Sequence, residues 1–136
     1  MRTLKAAAAT LCLVATQSAL AGAVVVGAHS TIGTLDASGV QRIFLGHGPS
    51  VDGQPIVVLY HTADAQRDEF ETKVLGKTGS NLQAYWSQLV FTGRAAPFVE
   101  VAGDHSVKAK VNENPNAIGY INDSEVDSTV KVLYKY

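Results

Sequence analysis

The sequence predicts an α/β fold in which helices cover a sheet. Three observations carry that reading. Short runs rich in β-branched and aromatic residues recur at 23–27, 56–60, 98–101, 117–121 and 130–134. Between them lie stretches whose apolar residues repeat at helical spacing. Turn-forming Gly, Pro, Asn and Asp separate the two kinds. Strands alternating with helices argue for helices packed on a sheet.

Each element has its own local reason. Ala23, Val24, Val25, Val26 and Gly27 suit a buried strand, and the polar turn His29-Ser30-Thr31 follows. Asp36 is placed to cap a helix in which Val40, Ile43 and Phe44 share a face, with Gly46 as its stop. His47, Gly48, Pro49, Asp52 and Gly53 punctuate a loop before the second strand at 56–60. A second helix is expected over about 64–75, ended by Gly76. The third helix has the strongest periodicity: after Ser80 as cap, Leu82, Tyr85, Trp86, Leu89 and Val90 follow the i, i+3, i+4, i+7, i+8 pattern. Trp86 therefore reads as core rather than as a stacking surface for a ligand. A fourth helix runs from Asp104 past Val107 and Val111 until Asn114-Pro115 breaks it.

A chain of 136 residues fits one domain, and 46% hydrophobic with 17% charged residues is ordinary for a globular protein. The first 21 residues read separately, as a cleavable secretory signal. Arg2 and Lys5 form a basic start, 6–15 is a compact apolar stretch, and Ala19 and Ala21 supply small residues for cleavage. The apolar stretch is shorter than the roughly 20 residues a spanning helix needs. Cleavage after Ala21 would remove Cys12, the single cysteine, leaving 22–136 with no disulfide or thiol. It would also take Arg2 and Lys5 from the 11 basic residues, leaving nine against 12 acidic, a net charge of −3. That mild acidity favours neither nucleic acid nor membrane insertion as a partner. The expected location is the periplasm.

Several segments carry a family resemblance. Gln41-Arg42-Ile43-Phe44-Leu45-Gly46, then Ala84-Tyr85-Trp86 with Phe91-Thr92-Gly93-Arg94, then Asn114-Pro115-Asn116-Ala117-Ile118-Gly119-Tyr120-Ile121, resemble segments of phosphate ABC transporter substrate-binding proteins. In order and spacing they cover essentially all of 22–136. The resemblance implies a type II periplasmic-binding-protein fold reduced to a single lobe, with a mixed sheet of about five strands flanked by helices. It implies a phosphate or oxyanion ligand, an ABC permease or envelope-protein partner, no cofactor and no catalysis. The family's ligand turn enters a helix through hydroxyl-bearing residues and an arginine. Here those positions read Asp64-Ala65-Gln66-Arg67 followed by Phe70, with only Arg67 and Phe70 matching and His61 standing for an upstream basic residue.

The residues themselves point to the same junction. A strand ending at Tyr60-His61 and handing the chain to a helix exposes unpaired N–H groups where an anion can sit. Thr62, Gln66 and Arg67 would assist. Against this, Asp64 can cap the helix itself, and Asp68 and Glu69 can complement its dipole. The second candidate is Ser30 and Thr31, whose turn resembles the first-lobe phosphate loop of longer members. Both turns are expected at the carboxyl ends of their strands, on one sheet edge. The expected ligand residues are thus Ser30, Thr31, His61, Thr62, Gln66 and Arg67, and Arg67→Ala should remove anion affinity with the fold intact. His29, His47, His61 and His105 lack metal-ligand spacing and read as surface residues. No Gly-x-Ser-x-Gly turn, Walker loop or cysteine nucleophile suggests an enzyme. The other function class open to the sequence is an interaction module that binds no solute and docks on an envelope protein or on itself.

Overall fold

The computed structural model describes residues 22–48 and 53–136, so the signal assigned to 1–21 and the loop residues 49–52 lie outside the described residues. The elements are β1 (Gly22–Gly27), α1 (Ala37–Arg42), β2 (Val57–His61), α2 (Ala65–Phe70), α3 (Gly79–Phe91), β3 (Val99–Val101), α4 (Gly103–Glu113), β4 (Ala117–Asn122) and β5 (Val130–Lys135). They form a five-stranded sheet in the order β3-β2-β4-β1-β5. β2 runs parallel to both β3 and β4, whereas β1 is antiparallel to β4 and β5. The predicted mixed α/β sheet is therefore present.

Alternation along the strands sends side chains to two cores. On one face Val24, Val26, Val58, Tyr60, Ile118 and Tyr120 pack against Val40 of α1, Phe44 just after it, Phe70 of α2, and Leu82 and Trp86 of α3. On the other Val25, Leu59 and Ile121 meet Val107 and Val111 of α4. A sheet covered on both sides explains why its strands read as unbroken apolar runs. Gly119 brings α4 close, because a Cβ there would stand 2.6 Å from Val107 Cγ1. Aromatic rings fill the first core: Phe70 stacks on Tyr120 with centroids 4.1 Å apart, and Phe44 meets Phe70 edge-on at 4.7 Å. The Tyr60 hydroxyl donates to Phe44 O at 2.5 Å and accepts from Trp86 Nε1 at 3.4 Å, so a buried phenol still has partners.

Two helices differ in detail from the sequence expectation. α1 and α2 are each short and pass into a wider-wound turn, Ile43–His47 and Glu71–Leu75. Gly76, at φ 68°, ends the second and donates its N–H to Glu71 O at 2.8 Å. α3 starts two residues earlier than expected, with Thr78 rather than Ser80 in the extended cap position and no side-chain cap bond. Its buried stripe is Leu82, Trp86 and Leu89. Val90 is 38% exposed, and Tyr85 is half-buried with its hydroxyl donating to Leu45 O at 2.7 Å. Among the described residues no helix is long and apolar enough to cross a membrane.

Candidate functional site

Because β2 and β3 are parallel, the helices that follow them, α2 and α4, begin at the same sheet edge, beside the end of β4. The carboxyl ends of such strands are where open α/β sheets place ligands. Here that edge carries a dense polar network built from the protein's own side chains.

Asp64 sits in extended backbone as the N-cap of α2. Its Oδ1 accepts the Arg67 N–H at 2.7 Å, and its Oδ2 lies 3.1 Å from His61 Nδ1. The His61 ring is fully buried and stacks on Tyr120 at 4.6 Å between centroids. Its Nε2 lies 2.8 Å from Tyr120 O and 3.4 Å from Asp104 Oδ1. Both ring nitrogens thus face acceptors; a neutral imidazole donates to one side only, an imidazolium to both. Asp104, in the first turn of α4, also accepts from Gln66 Nε2 at 2.9 Å and from the Asn122 N–H at 3.2 Å. Two carboxylates therefore occupy the mouths of two helix N-termini, where the backbone dipoles favour negative charge.

Arg67 points inward. Its Nε donates to Glu71 Oε1 at 2.8 Å, and its Nη1 donates to His61 O at 2.9 Å and Glu100 Oε1 at 3.0 Å. The guanidinium also lies over the Tyr60 ring, 5.3 Å from its centroid. Burial opposes its charge, but the Glu71 and Glu100 carboxylates more than offset this, so its pKa stands above the ordinary guanidinium value. Burial likewise pushes the Tyr120 hydroxyl above the usual phenol range, against the opposing hydrogen bond from the His61 N–H. Glu71 is 2% exposed, and its second oxygen accepts the Gly79 N–H at 3.4 Å.

No protein-family model and no curated protein matches the chain. Solved structures do. A Clostridium perfringens protein described as a phosphate ABC transporter substrate-binding protein, solved with phosphate bound, matches with TM-score 0.66 and 22% identity over 83% of this chain and 44% of its own. An ABC-type phosphate transport receptor from Vibrio cholerae matches with TM-score 0.64 and 25% identity over 84% of this chain and 47% of its own. PstS from Borrelia burgdorferi matches with TM-score 0.61 and 12% identity over 83% and 46%. The fold matches one lobe of these phosphate substrate-binding proteins. The chain spans less than half the length of each of these structures.

The predicted site residues do not all meet. His61, Thr62, Gln66 and Arg67 share the β2–α2 turn, with Thr62 exposed at its rim. Ser30 and Thr31 lie at the opposite edge of the sheet, contrary to the sequence expectation. The reason is the direction of β1: it runs antiparallel to β4, so its carboxyl end lies where β4 begins. There the Ser30 hydroxyl donates to Pro115 O at 2.8 Å and accepts from the Ile32 N–H at 3.2 Å, while Thr31 faces solvent. His61 departs from the surface placement expected of all four histidines; His29, His47 and His105 are exposed. Asp104, Glu71, Glu100 and Tyr120 join the network without having been singled out. Only Asp104 had a local signal, as an acidic residue opening a helix directly after a strand. Among the described residues no group of three or more His, Cys, Asp or Glu side chains is arranged to hold a metal ion. The two carboxylates meet opposite edges of the His61 ring and share no common point.

Proposed function

We propose that the protein is a substrate-binding-type lobe of the phosphate-importer kind, and that it takes phosphate or a similar oxyanion only weakly, at the β2–α2 turn. The observation supporting this reading is the fold, shared over more than four-fifths of the chain with solved phosphate-binding proteins. Residues 1–21 act as a cleavable signal that delivers the single domain 22–136 to the periplasm, where an ABC permease or another envelope protein is its partner. The role is binding rather than catalysis, in line with neighbours described as substrate-binding proteins and transport receptors.

Weak affinity follows from the charges of the turn. The Asp64 carboxylate already takes the Arg67 N–H. That leaves the Ala65 and Gln66 N–H groups, which a first helical turn does not satisfy internally, and the Thr62 hydroxyl. His61 and Arg67 support the turn from behind. An anion on those donors stands beside Asp64, and one like-charge pair at about 4 Å costs on the order of 4 kcal/mol at an effective dielectric near 20. A neutral hydrogen bond returns about 1 kcal/mol. Isothermal titration of 22–136 with phosphate, sulfate and molybdate tests this, with millimolar phosphate binding expected. Micromolar phosphate binding would overturn the claim that Asp64 occupies the site. No heat at high millimolar ligand would remove the ligand and leave the fold alone.

A further inference from the structure

We propose that His61 carries a proton on each ring nitrogen, and that this imidazolium at the end of β2 is a proton-operated clamp between the cap of α2 and β4. The assignment comes from what surrounds the ring. The side chain is fully buried, so its partners are the groups packed on it. Nδ1 faces Asp64 Oδ2 at 3.1 Å, and Nε2 faces Tyr120 O at 2.8 Å with Asp104 Oδ1 at 3.4 Å. A backbone carbonyl and an ionised carboxylate only accept. A neutral ring, in either tautomer, turns one nitrogen lone pair toward an oxygen lone pair, and a buried polar atom left so is costly. Turning the ring over puts carbon against both oxygens and loses both bonds.

A proton on Asp64 would also satisfy the count. An ordinary carboxyl is the stronger acid, however, and the other Asp64 oxygen already accepts the Arg67 N–H at 2.7 Å, so the proton belongs to the ring. The remaining groups around the ring agree. Asp104 is held as an acceptor by Gln66 Nε2 and the Asn122 N–H. Arg67, a neighbouring cation, bonds the His61 carbonyl rather than the ring and is answered by Glu71 and Glu100. Glu69 pairs with Lys73, while Asp68 and His105 are exposed. Burial keeps the Tyr120 and Tyr136 phenols protonated.

Losing the second proton has a definite consequence. The bond to Tyr120 is the shorter, so Nδ1 is the nitrogen laid bare, and the Asp64 carboxylate then faces a lone pair. α2 keeps its cap through Oδ1, but the turn gains one uncompensated negative charge. α1 supplies the control: Asp36 Oδ1 accepts the Gly39 N–H at 2.7 Å, and among the described residues no histidine meets its other oxygen.

Long-range proton–nitrogen NMR of isotope-labelled protein tests this without a ligand, so its failure is separate from that of the oxyanion reading. At about pH 7.5 an ordinary imidazole is mostly neutral. The His61 ring should there show a proton on both nitrogens. Raising the pH further should move the ring signals and the Arg67 amide together and leave the Gly39 amide in place. Asp64→Asn keeps the size and the cap, and should leave a proton on Nε2 alone at the starting pH. A neutral His61 ring in the parent overturns the proposal and requires no variant to fold. So does an Arg67 amide that ignores the ring, or an Asp64→Asn ring that keeps both protons, since Asp64 would then not be what the charge holds.

Discussion

The turns that leave β1 and β2 look alike as sequence and end in different physical situations. Each follows an apolar strand, each contains a histidine, and each offers hydroxyl groups to a ligand. The β2 turn meets a parallel neighbour, so α4 brings Asp104 to it and β4 brings Tyr120. The β1 turn meets the start of β4, and its serine is used to tie down the backbone at Pro115. Strand direction, which no local residue encodes, decides which turn can become a site. Even at the β2 turn the protein supplies its own anions, so a solute-binding fold does not by itself make an empty anion site.

The contrast breaks most visibly at Arg67. Arg67→Ala would leave the Glu71 carboxylate buried without its cation, and a cost of about 3–5 kcal/mol in urea unfolding is expected. The sequence alone suggested that the fold would be indifferent to this change. A loss below about 1 kcal/mol would mean that Glu71 reaches water and that the network is open to solvent. Replacing both partners, Arg67→Met with Glu71→Leu, should recover most of the loss.

His61→Ala should cost about 2–4 kcal/mol, since it opens a cavity and strips partners from Asp64 and Asp104. The exposed Thr31→Ala should move stability by less than about 0.5 kcal/mol in the same unfolding experiment. Equal effects would erase the distinction between the two turns.

Asp64→Ser keeps an N-cap but removes the charge and the partner of the buried His61 Nδ1, so stability should fall by about 1–3 kcal/mol while phosphate affinity should rise by about tenfold or more in titration calorimetry. Unchanged affinity would place the anion elsewhere. Ser30→Ala should cost about 1 kcal/mol for its bond to Pro115 and leave that titration untouched.

The smallest effect is a pH dependence near the β1 turn, where the Asp127-Thr129 loop pairs with Ala28. The hydrogen bond from Lys108 leads the causes that lower the Asp127 pKa from 3.8 to about 2. A carboxyl whose folded pKa is depressed stabilises the fold above its unfolded value and loses that contribution as pH falls through its folded value. The small difference in melting temperature between the parent and Lys108→Met should therefore be present at neutral pH and vanish between about 3.8 and about 2. Salt should shrink it as well, because the pair is exposed.

Much of the fold could be read directly. Runs rich in β-branched and aromatic residues located the five strands, period-3.6 patterning located the four α-helices, and Asp36 and Gly76 were legible as cap and stop from residue type alone. The candidate site was legible only as a junction. That Asp64 caps α2 was one of two readings the sequence left open, and the folded chain adopts it. Glu71 carries no local signal of burial, yet it is enclosed because Arg67 reaches it from one turn away and Gly79 closes over it. Tyr120 looked like ordinary strand core, and its contact with His61 spans 59 residues of sequence.

The sequence by itself determined the kinds of element, their order and their covered faces, because each depends on side chains a few positions apart. Tertiary structure decided that β1 opposes β4, that His61 is sealed between two carboxylates, and that Phe91 stands clear of the core. Those outcomes depend on which distant segments share an edge, and that follows from how all the faces are buried together.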